Sequence, residues 1–407
     1  MWVVASVSFA VALGLSIYFA STWQDDFRVY LMGAQDFFTP RLYIRSLRGE
    51  FFTYPPFAAL AFVPLERTLR SGAAQVAFTV VNLAALVVLI DVSIRAVRRH
   101  LAASKRWCWA LGLAGPFLFL DPVLLTIRHG QVNLILAAAV LWDITRVRPK
   151  GSRALPLGVA TGIAAAIKLT PLIFVPYLLF TRRWRGAGVC VGTFVICEAI
   201  AFALSPGSSW MYWTRSVFDV TRVGGYLGPT GLLAPIDQSL TSVLDRFHHA
   251  PIPSDVLWAL NMLVGAAGLA IAVLAHRRWS STLGVLLCAT TALVVSPVTW
   301  THHMVWVVPV IIWLAAAPER PRFGRAAAAL TALLFWCAPV WWIPSGGRAL
   351  HEGVWQLIAG SSFFTWAVLL LAGVASTMLR RRLGYRIIPR PLESQDRQVL
   401  AVVDSTN

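Results

Sequence analysis

Long apolar runs separated by short polar connections make up most of the chain, from its start to about residue 380. A helix needs about 20 apolar residues to cross the hydrocarbon core of a bilayer. Windows of this kind predict about twelve membrane spans, several of them short or interrupted by proline. Their positions are residues 2–20, 73–94, 107–122, 131–143, 154–169, 170–181, 186–205, 254–275, 281–297, 304–317, 326–343 and 355–378. The pattern therefore predicts an all-α polytopic membrane protein. One membrane domain covers residues 1–380, and a polar tail covers residues 381–407.

Dense groups of basic residues follow alternate runs, and this sets the expected orientation, because Lys and Arg are enriched in cytoplasmic loops. With a cytoplasmic amino terminus, all of these groups fall on the cytoplasmic side: Arg95, Arg98, Arg99, Lys105, Arg106, Arg146, Arg148, Lys150, Arg153, Arg182, Arg183, Arg185, Arg277, Arg278, Arg320, Arg322, Arg325 and the tail from Arg380. The outer side receives long loops near residues 21–72 and 206–253 and turns near 123–130, 298–303 and 344–354. We expect a multi-pass protein of the cell (inner) membrane, with a retained first span, both termini in the cytoplasm and a disordered tail.

Composition agrees with a membrane protein. Hydrophobic residues are 57% of the 407 residues, charged residues are 13%, and the mean hydropathy is +0.68. The formal charge of +17 lies in short dispersed clusters. Such clusters indicate a topology signal and attraction to membrane lipids, and they argue against a nucleic-acid partner. The five cysteines lie in apolar runs without a CxxC pair, so neither a disulfide framework nor a thiolate metal site is expected.

The first outer loop, residues 23–57, combines acids, arginines and aromatic residues. It begins with Asp25 and Asp26 at the expected membrane boundary and ends in Tyr54-Pro55-Pro56-Phe57, where two prolines stiffen the backbone. We expect short amphipathic helices near residues 25–38, lying along the membrane surface. A carboxylate here is either an interfacial residue or a general base with a shifted pKa. The spacing does not separate Asp25 from Asp26.

Further candidates lie at the other outer turns. Arg28 and Arg128 are suited to binding phosphate, although a solvated arginine is the alternative. Lys168 lies inside a predicted span near its outer end, where it serves a site or reaches for the interface. His302 and His303 are adjacent and have no HxxxH spacing or glutamate partner, which favours hydrogen bonding to phosphate or sugar over metal binding.

The connections and the short runs narrow the reaction class. The inner loops are too short for a nucleotide-binding domain, and no Gly-rich phosphate-binding motif lies between a strand and a helix. A soluble sugar-nucleotide donor is therefore disfavoured. The paired short runs 107–143 and 154–181 carry polar residues at their outer turns, and we expect them to form walls of a cavity that opens outward.

Six motifs in order resemble the family 87 glycosyltransferases of actinobacteria, membrane enzymes of the GT-C superfamily. The resemblance covers most of the chain, but no motif for it lies beyond residue 380. The residues that carry it are Asp26-Phe27-Arg28-Val29-Tyr30, Phe52-Thr53-Tyr54-Pro55-Pro56-Phe57, Gly130-Gln131-Val132-Asn133, Lys168-Leu169-Thr170-Pro171, Gln238-Ser239-Leu240, and Ser296-Pro297 with Trp300, His302 and His303.

The resemblance implies a GT-C-type bundle that uses a lipid-linked donor, here polyprenyl-phosphate mannose. The acceptor would be a glycolipid of the phosphatidylinositol mannoside or lipomannan type, extended on the outer face by an inverting α-1,2 transfer. By match, Asp26 is the general base, with Asp25 as its rival. The residues expected to bind substrate are Arg28, Tyr54, Arg128, Gln131, Asn133, Lys168, Gln238, Trp300, His302 and His303. No cofactor and no metal is expected, because no D-x-D cluster is present.

Three alternatives remain open at this stage. The first is arabinofuranosyl transfer by the same fold from a polyprenyl-phosphate sugar. The second is a transporter or flippase for polyprenyl-linked sugars, against which the two halves of the chain show no repeat. The third is a non-catalytic scaffold, which would leave the polar outer turns unexplained. The sequence does not indicate the oligomeric state.

Overall fold

The computed structural model describes residues 2–22, 24–147, 154–223, 234–343 and 351–382. The predicted tail beyond residue 382 lies outside these ranges, as do three members of the predicted basic clusters, Arg148, Lys150 and Arg153.

Within the described ranges the fold is almost entirely helical, which confirms the predicted all-α class. The helices are α1 (Trp2–Thr22), α2 (Asp25–Asp36), α3 (Pro56–Thr68), α4 (Ser71–Val97), α5 (Ala103–Leu118), α6 (Asp121–His129), α7 (Asn133–Thr145), α8 (Val159–Ile167), α9 (Phe174–Phe180), α10 (Trp184–Leu204), α11 (Pro206–Thr214), α12 (Leu240–His248), α13 (Ser254–Arg278), α14 (Ser281–Val295), α15 (Val307–Ala316), α16 (Gly324–Cys337), α17 (Val354–Gly360) and α18 (Ser362–Arg382). Short 3₁₀ turns cover Thr170–Ile173, Ser216–Phe218, Val220–Arg222, Thr301–Trp306 and Pro339–Trp342.

The number of membrane-length helices differs from the expected twelve. In the described part of the chain, six helices are long and apolar enough to span a bilayer, and the bent pair α5–α6 would make a seventh. Several predicted spans are instead short helices. The nine residues of α8 are an example, because they extend only about 14 Å, less than half of a hydrocarbon core of about 30 Å.

Helix α2 forms where an amphipathic helix was expected, and most of it is buried in the protein. Eight of its twelve residues are buried in the protein. The Phe27 ring stacks on Phe78 of α4, and the Tyr30 ring stacks on Phe62 of α3, each with a centroid separation of 4.7 Å. The segment that begins with the acidic pair is therefore packed between α3, α4 and α6.

A small hairpin, which the sequence analysis did not predict, connects α2 to α3. Strands β1 (Ser46–Leu47) and β2 (Glu50–Phe51) pair antiparallel. Both residues of the turn have positive φ, 54° for Arg48 and 88° for Gly49, as a tight two-residue hairpin turn requires. The hairpin brings Glu50 back toward the start of α2.

A buried carboxylate fixes the carboxyl-terminal end of α7. Asp143 is fully buried. Its Oδ2 accepts hydrogen bonds from the Gly158 N–H (2.9 Å), the Thr161 N–H (3.1 Å) and the Thr161 hydroxyl (2.8 Å). Arg146 Nη2 donates to Oδ1 at 3.0 Å. This network joins the basic end of α7 to the start of α8.

Replacing Asp143 with alanine should lower the stability of the protein strongly. The change leaves three buried donors and one arginine without their acceptor, which we expect to cost about 3–5 kcal/mol. The thermal unfolding midpoint in detergent measures this loss. The matched control is Asp255→Ala at the exposed start of α13, which should cost less than about 1 kcal/mol. Equal unfolding midpoints for the two variants would contradict the stabilising role of Asp143.

Candidate active site

One large cavity, with a volume of about 1190 Å³, opens between the first loop and the ends of several helices. Its wall includes the start of α2, the hairpin, the α6–α7 turn, the break after α8 and the turn before residue 303. Side chains of both charge signs line it. The charged lining residues are Asp25, Asp26, Glu50, Asp121, Asp219, Arg28, Arg48, Arg128, Lys168 and Arg222.

Asp26 lies on this wall, in the first turn of α2. Its Oδ2 accepts a hydrogen bond from Gln131 Nε2 at 2.9 Å. The same amide nitrogen lies 3.0 Å from the Tyr54 hydroxyl, and the amide oxygen accepts from the Tyr30 hydroxyl at 2.8 Å. Three of the sequence motifs therefore meet at one carboxylate.

Two left-handed residues bring these segments together. Gln24, with φ 74°, precedes α2, and its backbone N–H donates to the Arg128 carbonyl at 2.8 Å. Gly130, with φ 67°, ends α6, and a Cβ at this position would lie 2.5 Å from the Phe27 Cβ. Glycine at residue 130 thus permits the turn that carries Gln131, and it lets the turn approach α2 closely.

Lys168 lies in the connection between α8 and the 3₁₀ turn Thr170–Ile173, near the end of the predicted span 154–169. It follows the last residue of α8 and has extended backbone. Its Nζ donates to Asn133 Oδ1 at 3.0 Å and lies 5.8 Å from the centroid of the Tyr54 ring. Asn133 Nδ2 donates in turn to the His302 carbonyl at 2.9 Å. Asn133, which does not line the main cavity, therefore connects Lys168 to the turn that carries His302 and His303, called the histidine turn below.

The predicted histidines lie together on the wall. The His302 and His303 ring centroids are 4.7 Å apart, and His129, which the sequence analysis did not select, lies 5.7 Å from His302. The Thr126 hydroxyl donates to the His302 carbonyl at 3.0 Å, so α6 also holds this turn. Among the described residues, no group of three or more His, Cys, Asp or Glu side chains is arranged to hold a metal ion.

Burial raises the pKa of two acids on the cavity wall, Asp26 and Glu50. It raises the pKa of Asp26, and the nearby His129, the Gln131 hydrogen bond and Lys168 oppose that rise. Burial, together with the charges of Asp26 and Asp25, raises the pKa of Glu50 to about 7. Asp25 is more peripheral and lies 3.8 Å from Arg48 in an exposed ion pair.

Gln238 does not lie on the cavity, and the structure assigns it a packing role in place of the predicted substrate contact. Its side-chain nitrogen donates to the carbonyls of Pro235 (2.5 Å) and Gly360 (2.6 Å). Its side-chain oxygen accepts from the Phe364 N–H at 2.9 Å. The whole amide is therefore used in holding the loop before α12 against α17 and α18.

This loop supports the histidine turn. Asp237 pairs with Trp300 in a single β-bridge, and its Oδ1 accepts from the backbone N–H groups of Ser239 and Thr299, each at 2.9 Å. Burial raises the pKa of Asp237 to about 6. Trp300 lies on the cavity wall, as predicted for a substrate-contacting residue.

The two predicted arginines also line the cavity. Arg28 is exposed on α2, and the Arg128 guanidinium carbon lies 5.9 Å from the centroid of the Phe19 ring of α1. Glu50 and Arg222 were not among the residues predicted from the sequence. The Arg48-Gly49 pair was a signal for the hairpin that places Glu50, whereas no local pattern marked Arg222.

The family model described as Glycosyltransferase family 87 matches residues 52–297, more than half of the chain. The chain belongs to glycosyltransferase family 87. This confirms the resemblance and the enzyme class, and it favours glycosyl transfer over the transporter and scaffold alternatives. No solved structure matches this family 87 glycosyltransferase.

Curated relatives cover most of this family 87 glycosyltransferase. A polyprenol-phosphate-mannose-dependent α-(1-2)-phosphatidylinositol mannoside mannosyltransferase of Mycobacterium tuberculosis is 30% identical over 84% of this chain and 80% of that protein. A polyprenol-phosphate-mannose-dependent α-(1-2)-phosphatidylinositol pentamannoside mannosyltransferase of the same species is 31% identical over 78% of this chain and 70% of that protein. An α-(1→3)-arabinofuranosyltransferase of Corynebacterium glutamicum is 29% identical over 59% of this chain and 53% of that protein.

Replacing Gln131 with glutamate should damage the site while keeping its shape. The change removes the donor to Asp26 and adds a like charge, so the pKa of Asp26 should rise further. We expect the acidic limb of the pH–activity profile of transfer to move upward by about one pH unit or more. The control is Gln35→Glu on the exposed side of α2, which should leave the acidic limb in place. An unchanged acidic limb in Gln131→Glu would show that the contact with Asp26 does not determine the pH dependence.

Proposed function

We propose that this enzyme transfers mannose from polyprenyl-phosphate mannose to a hydroxyl of a phosphatidylinositol mannoside on the outer, periplasmic face of the membrane. The linkage formed is α-1,2, and the anomeric configuration inverts. The named activities of the mycobacterial relatives support this donor and this acceptor class. The basic connections between spans support the outer position of the cavity.

The observation that carries the proposal is the placement of Asp26 in the cavity. Among the described residues, Asp26 accepts a hydrogen bond from Gln131 through Oδ2. Its Oδ1 is therefore left to take a proton. A carboxylate with a pKa raised toward neutrality is a better general base than an ordinary surface aspartate. As Asp26 removes the acceptor proton, the acceptor oxygen attacks the anomeric carbon, and the bond from that carbon to the phosphate oxygen breaks.

Lys168 and the histidine turn are suited to the leaving group. The departing polyprenyl phosphate gains negative charge, and fixed positive charge and hydrogen-bond donors lower the energy of that transition state. Lys168 is oriented by Asn133, which also holds the carbonyl of His302. In this arrangement Lys168 lies 5.8 Å from the centroid of the Tyr54 ring, and Asp26 is linked to the Tyr54 hydroxyl through Gln131. A sugar bound beside the tyrosine would therefore have both groups near it.

Transfer assays with detergent-purified enzyme test the proposal directly. We expect wild type to transfer radiolabelled mannose from polyprenyl-phosphate mannose to a phosphatidylinositol mannoside. Asp26→Asn should lower kcat by about 10²–10⁴-fold, the range for loss of a general base. Asp25→Asn should cost less than about tenfold, because its carboxylate forms only an exposed ion pair.

Asp36→Asn is the matched control, since Asp36 is a buried carboxylate of the same helix that lies off the cavity and pairs with Arg45. A large kcat loss in Asp25→Asn with activity retained in Asp26→Asn would exchange the two roles. Transfer of arabinofuranose but not mannose would keep the mechanism and replace the sugar, the outcome suggested by the Corynebacterium relative.

The pH profile separates Asp26 from Glu50. Because the base must be ionised, kcat/KM should fall as the pH drops through the raised pKa of Asp26, above the ordinary value of about 4. Glu50→Gln removes a like charge, so the pKa of Asp26 should fall and the acidic limb should move to lower pH. Disappearance of the limb in Glu50→Gln would instead identify Glu50 as the base.

A further inference from the structure

Arg222 is one of the arginines that line the cavity in addition to Lys168. Arg222 ends a 3₁₀ turn after α11, and its guanidinium carbon lies 4.5 Å from the centroid of the Phe51 ring of β2. Its Nη2 donates to the backbone carbonyl of Tyr43. The guanidinium is thus oriented by two contacts with the chain around the hairpin.

Arg222 still has donors to offer. Its Nε is buried and has no hydrogen-bond partner among the residues that the structure describes. The acid beside it, Asp219, accepts hydrogen bonds from the backbone N–H and the hydroxyl of Thr221. A fixed planar guanidinium with unused N–H groups suits a phosphate better than a flexible ammonium does.

Arg222 and Lys168 lie beside two different aromatic rings. Arg222 lies over Phe51, whereas Lys168 lies near Tyr54, three residues further along the chain. Three residues extend at most about 10 Å, so the two rings belong to neighbouring parts of the cavity wall that Arg222 and Lys168 also line. Asp26, bound through Gln131 to the Tyr54 hydroxyl group, belongs to the Lys168 side of this segment.

We propose that Arg222, together with Arg48 of the hairpin turn, binds the phosphodiester of an anionic glycolipid acceptor, while Lys168 faces the phosphate of the donor. This inference rests on the proposed function, in which both substrates are anionic lipids. Two phosphates repel each other in a partly dry cavity, so each needs its own cation. The ion pair of Arg48 with Asp25 is exposed and weak enough to be exchanged for a phosphate.

The test compares an anionic acceptor, phosphatidylinositol dimannoside, with a neutral one, a synthetic octyl α-mannoside. Arg222→Gln should raise KM for the anionic acceptor about ten- to a hundredfold. KM for the neutral acceptor and KM for polyprenyl-phosphate mannose should stay within about twofold of wild type. Arg222→Lys should recover part of the loss, because it keeps the charge without the planar fork.

Arg215→Gln is the matched control, as it removes the same charge from an exposed position of the same segment that does not line the cavity. An equal rise of KM for both acceptors would mean a structural role and overturn the proposal. A rise of KM for the donor would also overturn it and assign Arg222 to the donor phosphate.

Equilibrium binding keeps the two proposals separable. If wild type transfers no mannose to either acceptor, the proposed function fails, but the subsite is still tested by binding of the fluorescently labelled dimannoside. Wild type should bind it at least tenfold more tightly than Arg222→Gln does, and equal affinities would overturn the inference. Phosphatidylglycerol and inorganic phosphate are the competitors, and displacement by either as effective as by unlabelled dimannoside would indicate a general phosphate site and overturn the acceptor assignment.

Discussion

The Gln131 side-chain amide holds together the segments from which the site is built. A primary amide can donate two hydrogen bonds and accept two. Here it serves the carboxylate of Asp26 and the hydroxyls of Tyr30 and Tyr54. A hydrophobic residue would remove all of these hydrogen bonds, and a carboxylate would offer no donor to Asp26. The geometry around Asp26 therefore depends on one amide and on Gly130, which permits the turn that positions this amide.

The charges at the centre of the cavity are separated by hydrogen-bonding neutral groups. Asp26 is bound by Gln131, and Lys168 is bound by Asn133, so each charge is held by an amide and not by the other. A direct ion pair would satisfy both charges in the resting enzyme and would have to be broken for substrate to enter. Amide partners orient the two groups without joining them, and in the proposed reaction the acceptor hydroxyl would lie beside Asp26 and the donor phosphate beside Lys168.

The candidate site residues that could be predicted from the sequence lie at the ends of helices. Asp26, Gln131 and Lys168 each follow a change from apolar to polar residues, which a linear pattern displays. Gln238 belongs to a similar polar motif, yet its amide packs against backbone groups, since residue type alone does not separate a ligand contact from a buried anchor. Arg222 was missed because its position depends on the fold of the hairpin, which is distant in sequence.

The shortfall in span count and the position of the site have the same physical origin. Where a helix stops within a membrane domain, its last carbonyls and first N–H groups need partners, and this is tolerated only against protein or a water-filled cavity. The breaks at Gly130 and Lys168 and the turn before His302 all meet at the cavity wall. The helices next to them, α6, α8 and the 3₁₀ turn Thr301–Trp306, are short for that reason. A chain that kept twelve uninterrupted spans would satisfy its backbone internally and would have no polar ends to direct toward a lipid-linked phosphate.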